Sequence, residues 1–418
     1  MSKFIITGGK PLAGEIKVSG SKNAIVALMA ASLLTQDECV ITNVPEISDV
    51  QSLIEILKEL GVQVEYGKHK LVIRAENIAK VNPSAELVGK LRGSILLLGP
   101  ILARKHEVDF PFPGGDLIGK RPINAHTDAF KNLGALVDTS NGTLKITADN
   151  LKGSKVVLTE TSVTATENIM LAAALAEGPT TIKLAAMEPH VQQLGLFLKK
   201  MGAKIKGVGT PTITIEGVDK LHGAKIKVIP DDNEASSLIT MAAVCGMDVK
   251  VSKLEPEHLE DYLLKLKTMG VNFEVGEDYV RVKKSDTLMG IAKLQCGFYP
   301  KLNSDYIPPM SVLATQATGE TVIYDWMYEN RTGYATELNK MGAQIEVLDP
   351  HRVKIAGPTK LHEASLSAGD LRMGMTLVIA ALIAEGKSEI NDVHHIDRGY
   401  ENLEKRLRML GADIKRAN

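Results

Sequence analysis

A short pattern returns six times along the chain: Leu or Met, then Gly, then Ala or Val, any residue, and an apolar residue. It stands at Leu60-Gly61-Val62, Leu133-Gly134-Ala135, Met201-Gly202-Ala203, Met269-Gly270-Val271, Met341-Gly342-Ala343 and Leu410-Gly411-Ala412. The glycines are 73, 68, 68, 72 and 69 residues apart. An internal repeat governs every later reading of a chain, and this period exceeds the roughly 20–50 residues of stacked solenoids. Each copy is therefore expected to be a compact subdomain rather than one turn of a superhelix.

The pattern marks a helix end, where a left-handed residue is wanted. An amphipathic helix runs up to each Gly, as in Gln51–Leu60 and His258–Met269. Strand-like alternation follows, as in Val62–Tyr66 and Gln344–Val347. A turn and a second strand come next, at Lys70–Arg74, Thr143–Thr147, Thr212–Glu216, Tyr279–Val282 and Arg352–Ile355. Every copy also has a helix that is apolar nearly all round: Ala24–Leu34, Ser94–Leu102, Ile169–Ala176, Ala235–Val244, Ile307–Thr315 and Met373–Ile383. Such helices are buried, and these are too short to cross a bilayer. The unit is then strand, buried helix, strand, exposed helix and two strands, a βαβαββ repeat. Three units can pack three buried helices together, so six units make two domains. The last copy lacks its second strand, whereas the N-terminus has spare ones at Phe4–Thr7 and Glu15–Val18. The expected domains are 1–20 with 230–418, completed by the N-terminal strands, and 21–229.

Conspicuous polar residues open the buried helices: Ser21-Lys22-Asn23, Lys90 and Arg92, Thr164 to Asn168, Asp231 to Glu234, Asn303-Ser304-Asp305, and Asp370 with Arg372. Capping accounts for Ser21, Thr166 and Asn303. It does not account for Lys22, Arg92 and Arg372, because a cation at a positive helix end is unfavourable. Helix N-termini together with cations form a site for phosphate or carboxylate. Arg331 and Arg398 are two further guanidinium groups able to bind such anions bidentately, although a surface salt bridge is the commoner fate of an Arg. His394 and His395 are adjacent, so on a strand their rings point to opposite faces, which argues against a metal site.

Residues 110–126 read FPFPGGDLIGKRPINAH, too broken by Gly and Pro for regular structure. The bland expectation is a surface turn; the sharper one is a mobile loop, 111–122, with Asp116 between glycines and near Lys120 and Arg121. Gly114 to Lys120 matches the start of a P-loop, but Arg121 stands where the magnesium-binding hydroxyl is needed and Pro122 interrupts the helix.

The 418 residues include 49 basic and 50 acidic side chains, for a net charge of −1, which gives no field for nucleic acid or membrane. Aromatic residues make up only 4%, leaving little surface for base stacking. Cys39, Cys245 and Cys296 are odd in number and far apart, as suits reduced thiols in a cytoplasm. MSKFIITGGK has no signal-peptide apolar run, and no segment has the apolar length of a membrane span.

The stretches LAGEIKVSGSKNA, FPGGDLIGKRP, SVTATEN, MEP at Met187, YENR at 328–331, GDLR at 369–372 and HIDRGYENLE together resemble the enolpyruvyl transferases over nearly the whole chain. Among them the likeness is to members of peptidoglycan synthesis whose acceptor is UDP-N-acetylglucosamine. The resemblance implies an α/β fold, a two-domain inverse α/β barrel, or prism, of six βαβαββ units. It implies an enzyme without cofactor or metal, monomeric and cytoplasmic, with phosphoenolpyruvate and UDP-N-acetylglucosamine bound in the interdomain cleft. The sugar 3-hydroxyl adds to C2 of phosphoenolpyruvate as C3 is protonated, and the adduct then loses phosphate. On the matching motifs, Lys22, Arg92, Arg121 and Arg398 hold the phosphoenolpyruvate anions, and Arg331 and Arg372 support the carboxylate or the adduct. Asn23 and Asp305 contact the sugar, with Asp305 taking the hydroxyl proton. Arg121, Pro122, Ile123, Asn124, Ala125 and His126, with Ser162, Val163 and Thr164, cradle the uridine diphosphate, and Met327 lines the substrate site. Asp49 supports the first helix pair. Asp116 is the loop acid.

The chain departs from the family pattern at several places. Asp116 replaces a usual Cys, which implies insensitivity to the thiol-alkylating epoxide fosfomycin. Thr164 replaces Gly, Asn124 replaces Asp, and Asp232 replaces Arg. His190–Gln193 replaces an acidic E-x-x-D pattern, and Leu302-Asn303-Ser304 replaces Phe-Pro-Thr. These changes lie toward the sugar nucleotide, so two alternatives stay open: a paralogous transferase with another nucleotide or sugar acceptor, and a non-catalytic sugar-nucleotide sensor.

Overall fold

The structure, a computed structural model, describes residues 2–115 and 122–417. It divides into two compact units. One holds the described residues of 1–19 and 230–418, the other those of 20–115 and 121–229. Each has its own apolar core.

The repeated tripeptide is a helix stop built the same way six times. The glycines Gly61, Gly134, Gly202, Gly270, Gly342 and Gly411 have φ of +90°, +88°, +102°, +80°, +91° and +101°. An L side chain there would be strained. At the first stop Gly61 N–H bonds Lys58 C=O and Val62 N–H bonds Leu57 C=O, each at 3.0 Å. The pair of bonds recurs at Gly134–Lys131 with Ala135–Phe130, and at Gly411–Arg408 with Ala412–Leu407. This is the Schellman geometry, in which the residue after Gly packs on the helix beneath it. Leu57, Phe130 and Leu407 are wholly buried, and Val62, Ala135 and Ala412 nearly so. Hence the pattern is apolar, Gly, small apolar.

The helices Lys22–Ala31, Val163–Ala173, Asp232–Cys245, Ile307–Gln316 and Leu371–Ile383 are buried along nearly their whole length. Each Leu or Ile they withdraw from water contributes about 1.5–3 kcal/mol. The sixth buried segment is a 3-10 stretch, Arg92–Leu97, continued by the α-helix Leu98–Lys105. Pro100 explains the change of pitch, since its ring clashes with the carbonyl four residues before it in an unbroken α-helix.

Among the described residues the strands form six separate open sheets, five of four strands and one of three. Lys155–Val157 runs parallel to Pro179–Lys183, which is antiparallel to Thr212–Glu216, itself antiparallel to Lys204–Lys206. Leu294–Gln295, Gly319–Tyr324, Arg352–Gly357 and Gln344–Asp349 repeat that order. Two leading strands are exchanged along the chain. Leu12–Lys17 lies parallel to Gly246–Ser252, and Lys225–Lys227 lies parallel to Cys39–Thr42. Lys3–Thr7 is the inner strand between Lys387–Asn391 and Asp413–Ala417. The second copy departs from the expected unit: no leading strand is present among the described residues. Helix Ala85–Lys90 occupies that part of the chain, and a single bond from Asp109 N–H to Val81 C=O, 3.1 Å, takes the place of a ladder.

Candidate active site

In the unit of 230–418 the N-terminal ends of the three buried helices meet. Asp305 lies in the 3-10 turn Ser304–Tyr306 that leads directly into Ile307–Gln316, and its backbone N–H is held by the Asn303 side chain at 2.9 Å. Its Oδ1 accepts from Arg331 Nη2 at 2.7 Å, and its Oδ2 from Arg372 Nε at 2.9 Å. Arg372 is the second residue of Leu371–Ile383, whose cap Asp370 accepts from the Arg372 and Met373 N–H groups. Tyr306 O–H donates to Asp232 Oδ2 at 2.6 Å, at the start of Asp232–Cys245. Arg331 and Arg372 are almost fully buried, so each is a poor surface salt-bridge residue and a costly charge to leave unmatched.

The charges set the ionisation. Burial works to raise the Asp305 pKa, but Arg372 and Arg331 outweigh it and hold the carboxyl below the ordinary range. Asp231 moves the other way, pushed up to about 6 by burial against the pull of Arg372, with Asp232 adding to the rise. The remaining polar capacity is notable. Arg331 Nε, Asp232 Oδ1 and both polar atoms of the Asn233 amide are buried without a hydrogen-bond partner. Buried polar groups are normally paired, so these are candidates for ligand contact.

Arg398 caps the C-terminus of a short helix, His394–Asp397. That helix corrects the strand expected at the histidine pair. His394 and His395 lie with ring centroids 4.2 Å apart, tilted by 36°, not on opposite faces. Met327 is half-buried, and its N–H bonds Asp325 Oδ1 at 3.2 Å. Asp325 was not singled out by sequence reasoning. It follows strand Gly319–Tyr324, and nothing local distinguishes it from a turn acid.

The unit of 20–229 holds a second polar cluster. Ser21 caps helix Lys22–Ala31 by accepting from Ala24 N–H. Lys22 sits at that positive end, but its Nζ lies 2.8 Å from Asp49 Oδ2, a buried carboxylate on the neighbouring helix Ser48–Glu59, which offsets the unfavourable placement. Asn23 follows it, half-buried. Arg92 opens the 3-10 segment and donates to Pro113 C=O at 3.3 Å. Ser162, not Thr166, caps the helix Val163–Ala173. Thr166 lies inside it and accepts from Ala186 N–H at 3.0 Å.

His126, in helix Asn124–Asn132, is 2% exposed. Its Nε2 is 3.0 Å from Thr164 Oγ1, and its Nδ1 is 3.0 Å from the Asn168 side-chain amide. Asn168 Nδ2 also donates to Ile95 C=O, while its Oδ1 accepts from Gly99 N–H at 2.9 Å. A Cβ on Gly99 would lie 2.6 Å from the Asn168 backbone carbonyl oxygen and 3.1 Å from its Oδ1, so Gly is required for that approach. The amide nitrogen can only donate, which makes His126 Nδ1 an acceptor and puts the ring proton on Nε2. Burial, then the Arg92 charge, push the His126 pKa down to about 3. Thr164 Oγ1 therefore accepts from His126 Nε2–H and keeps its own hydroxyl hydrogen for another partner.

Pro122 and Asn124 are exposed, Ile123 is half-buried and Ala125 is buried; Ser162, Val163 and Thr164 are half-buried. Asp116, Lys120 and Arg121 lie outside the described residues. Among the described residues no helix is long and apolar enough to cross a membrane. The cysteines Cys39, Cys245 and Cys296 are free.

Residues 6–407 match the family model of EPSP synthase (3-phosphoshikimate 1-carboxyvinyltransferase). A UDP-N-acetylglucosamine 1-carboxyvinyltransferase 3 of Caldanaerobacter subterraneus subsp. tengcongensis is 44% identical over 416 residues, covering 100% of this chain and 99% of the relative. The UDP-N-acetylglucosamine 1-carboxyvinyltransferase of Koribacter versatilis is 42% identical over 421 residues, covering 100% of this chain and 96% of the relative. Among solved structures, the enolpyruvyl transferase NikO from Streptomyces tendae superposes with a TM-score of 0.91 at 26% identity, covering 100% of this chain and 99% of that one. EPSP synthase from Acinetobacter baumannii has the same fold, with a TM-score of 0.77 at 21% identity and full coverage of both chains. With its six helix-stop repeats and its arginine-bound Asp305, the chain belongs to the enolpyruvyl transferase family, the family of EPSP synthase.

Proposed function

We propose that this protein transfers the enolpyruvyl group of phosphoenolpyruvate to the 3-hydroxyl of UDP-N-acetylglucosamine, releasing phosphate, as the first committed step of peptidoglycan precursor synthesis. The observation that carries the reading is Asp305 held between Arg331 and Arg372 where three buried helices begin. A carboxylate fixed beside guanidinium groups can take the acceptor proton while those groups meet the anion it attacks. The buried, unpartnered Arg331 Nε–H supports a contact to the substrate carboxylate. The full-length relatives named for this reaction support the acceptor.

In this mechanism the sugar oxygen bonds C2 and its proton passes to Asp305. Asp116, as the acid, gives a proton to C3. The adduct then loses a proton from C3 as the bond from C2 to the phosphate oxygen breaks. Lys22, Arg92, Arg121 and Arg398 are assigned to the phosphoenolpyruvate anions, with Arg331 and Arg372 on the carboxylate. Asn23 and Met327 are assigned to the sugar side, and Arg121 to His126 with Ser162 to Thr164 to the uridine diphosphate. Residues 1–20 with 230–418 act as the catalytic domain and 21–229 as the second domain, in a cytoplasmic monomer.

A different sugar-nucleotide acceptor is the second reading, favoured by the Thr164 hydroxyl bonded to His126 where the family has Gly. Phosphate release from phosphoenolpyruvate, measured with a panel of UDP-sugars, tests both. Release with UDP-N-acetylglucosamine supports the first, release only with another acceptor supports the second, and release with none leaves a binding protein.

A further inference from the structure

We propose that Asp325 is a positioning residue for the reaction: through the Ser304 hydroxyl it fixes Arg331, and through Arg331 it fixes Asp305. The inference rests on the reading that Asp305 takes the acceptor proton.

Asp325 follows the strand Gly319–Tyr324 and is 4% exposed. Three donors converge on its carboxylate. Ser304 Oγ donates to Oδ2 at 2.5 Å, while Cys296 Sγ and Met327 N–H donate to Oδ1 at 3.2 Å each. Burial, then the charge of Asp325, push the Cys296 thiol up to about 12, so sulfur keeps its proton and donates. The Asp325 backbone is pinned as well, its C=O lying 2.9 Å from His351 Nδ1 and its N–H bonding His351 C=O at 2.9 Å.

The direction of the chain follows from proton counting. A serine hydroxyl has one hydrogen and two lone pairs. Ser304 gives its hydrogen to Asp325, so only lone pairs remain for Arg331 Nη1, which donates to Oγ at 2.8 Å. The other nitrogen, Nη2, is thereby aimed at Asp305 Oδ1, 2.7 Å away. Asp325 thus acts twice. It orients the hydroxyl, and it places a third negative charge near a buried guanidinium, where Asp305 and Asp370 also act. Replacing its carboxylate by a carboxamide reverses the polarity at Oδ2. An N–H group there would donate to Ser304, turn the hydroxyl hydrogen away, and remove the countercharge from Arg331.

The groups around Asp305 that share its titration are Arg331 and Arg372 directly. Tyr306, Asp231, Asp232, Asp370, Tyr328 and Tyr400 lie around those partners. Loosening Arg331 lowers one of the two charges that hold the Asp305 carboxyl down. Its titration then moves toward ordinary carboxylate values, so activity that needs the ionised form is lost at a higher pH than before. A residue that merely supports folding would not move that limb.

The test uses the full-length protein carrying Asp325→Asn, Ser304→Ala, both together, and Asp305→Asn as reference. Turnover, the KM for UDP-N-acetylglucosamine, and the pH dependence of kcat are measured, with thermal unfolding followed in parallel. Each single variant at positions 325 and 304 is expected to lose at least about tenfold in kcat, the worth of one charge-assisted hydrogen bond. The KM is expected to change less than about twofold, and the double variant to be no slower than the slower single one, since both cut one chain of contacts. The acid limb of kcat shifts upward in pH in both. Normal kcat in Asp325→Asn, multiplicative losses in the double variant, or an unmoved acid limb would each overturn the role of Asp325. Should Asp325→Asn not fold, the acid limb of Ser304→Ala decides alone. Full turnover in Asp305→Asn would overturn the base reading itself, whatever Asp325 does.

Discussion

Arg331 and Asp305 face each other with Nη2 and Oδ1 2.7 Å apart, the arginine almost fully buried and the aspartate side chain 24% exposed. The pair is asymmetric: the arginine is fixed by burial with only its Nε–H left to offer a ligand, whereas the aspartate carboxylate reaches solvent and is placed to take a proton. Asp305→Asn keeps an acceptor oxygen for Arg331 but cannot take a proton. Turnover is expected to fall by about 10²–10⁴-fold, the usual contribution of a positioned base. Steady-state phosphate release measures it, and circular dichroism confirms that the variant is folded. A loss under fivefold would remove Asp305 from this role.

His126 is expected to be neutral from pH 5 to 8, with its proton on Nε2. Burial and Arg92 depress its pKa to about 3, and the Asn168 amide donates to Nδ1. Nitrogen-15 NMR of the ring reads both the tautomer and the titration. In Asn168→Asp an acceptor replaces that donor, so the imidazole should draw a second proton and titrate at a higher pH. A proton on Nδ1 in the unmodified protein would contradict the hydrogen-bond assignment.

Glu167 is 2% exposed, its Oε1 has no hydrogen-bond partner, and burial and then Glu188 raise its pKa well above the ordinary value. The folded state therefore binds more protons than the unfolded state above pH ~4.3, and stability falls as pH rises. The loss is about 1.4 kcal/mol per pH unit until the folded carboxyl ionises. Glu167→Gln removes that slope. Denaturant midpoints should show the variant gaining on the unmodified protein between pH 4 and pH 7, with no comparable gain below pH 4. An equal difference at both pH values would place the origin elsewhere.

On the proposed function, Asp116 takes the place of the thiol that fosfomycin alkylates in the family's usual members. A carboxylate is a weaker nucleophile than a thiolate toward a neutral epoxide. Incubation with fosfomycin is expected to give no time-dependent inactivation and no mass adduct, whereas Asp116→Cys should gain both. Irreversible inactivation of the unmodified protein would contradict this.

Much of the architecture was legible because it is encoded locally. The six stops need only a left-handed glycine and one small apolar residue after it, and both are visible in a five-residue window. The all-apolar helices are equally plain, because burial on every side leaves no polar face to misread. The exchanged strands were less legible in detail: the partners Lys225–Lys227 and Cys39–Thr42 are separated by most of a domain's length, and strand register depends on packing rather than spacing. The absence of a lead strand in the second copy among the described residues, and the helix at His394–Asp397, were hidden for the same reason.

In the site, the misplaced cations were the informative signal. Lys22, Arg331 and Arg372 violate the helix-end rule or the expectation of exposure, and each proves to be buried or half-buried against a carboxylate. Asp325 gave no such signal. Its importance lies in the direction of the Ser304 hydroxyl hydrogen, which depends on three segments brought together only by the fold.

Phosphate release from phosphoenolpyruvate in the presence of UDP-N-acetylglucosamine is the most direct test of the proposed function. With both substrates, equal amounts of phosphate and of an enolpyruvyl ether of UDP-N-acetylglucosamine should form, the ether identified by mass spectrometry, and omission of the acceptor should abolish both. Phosphate release no faster with acceptor than without it, while calorimetry shows the sugar nucleotide bound, would contradict the proposed transfer.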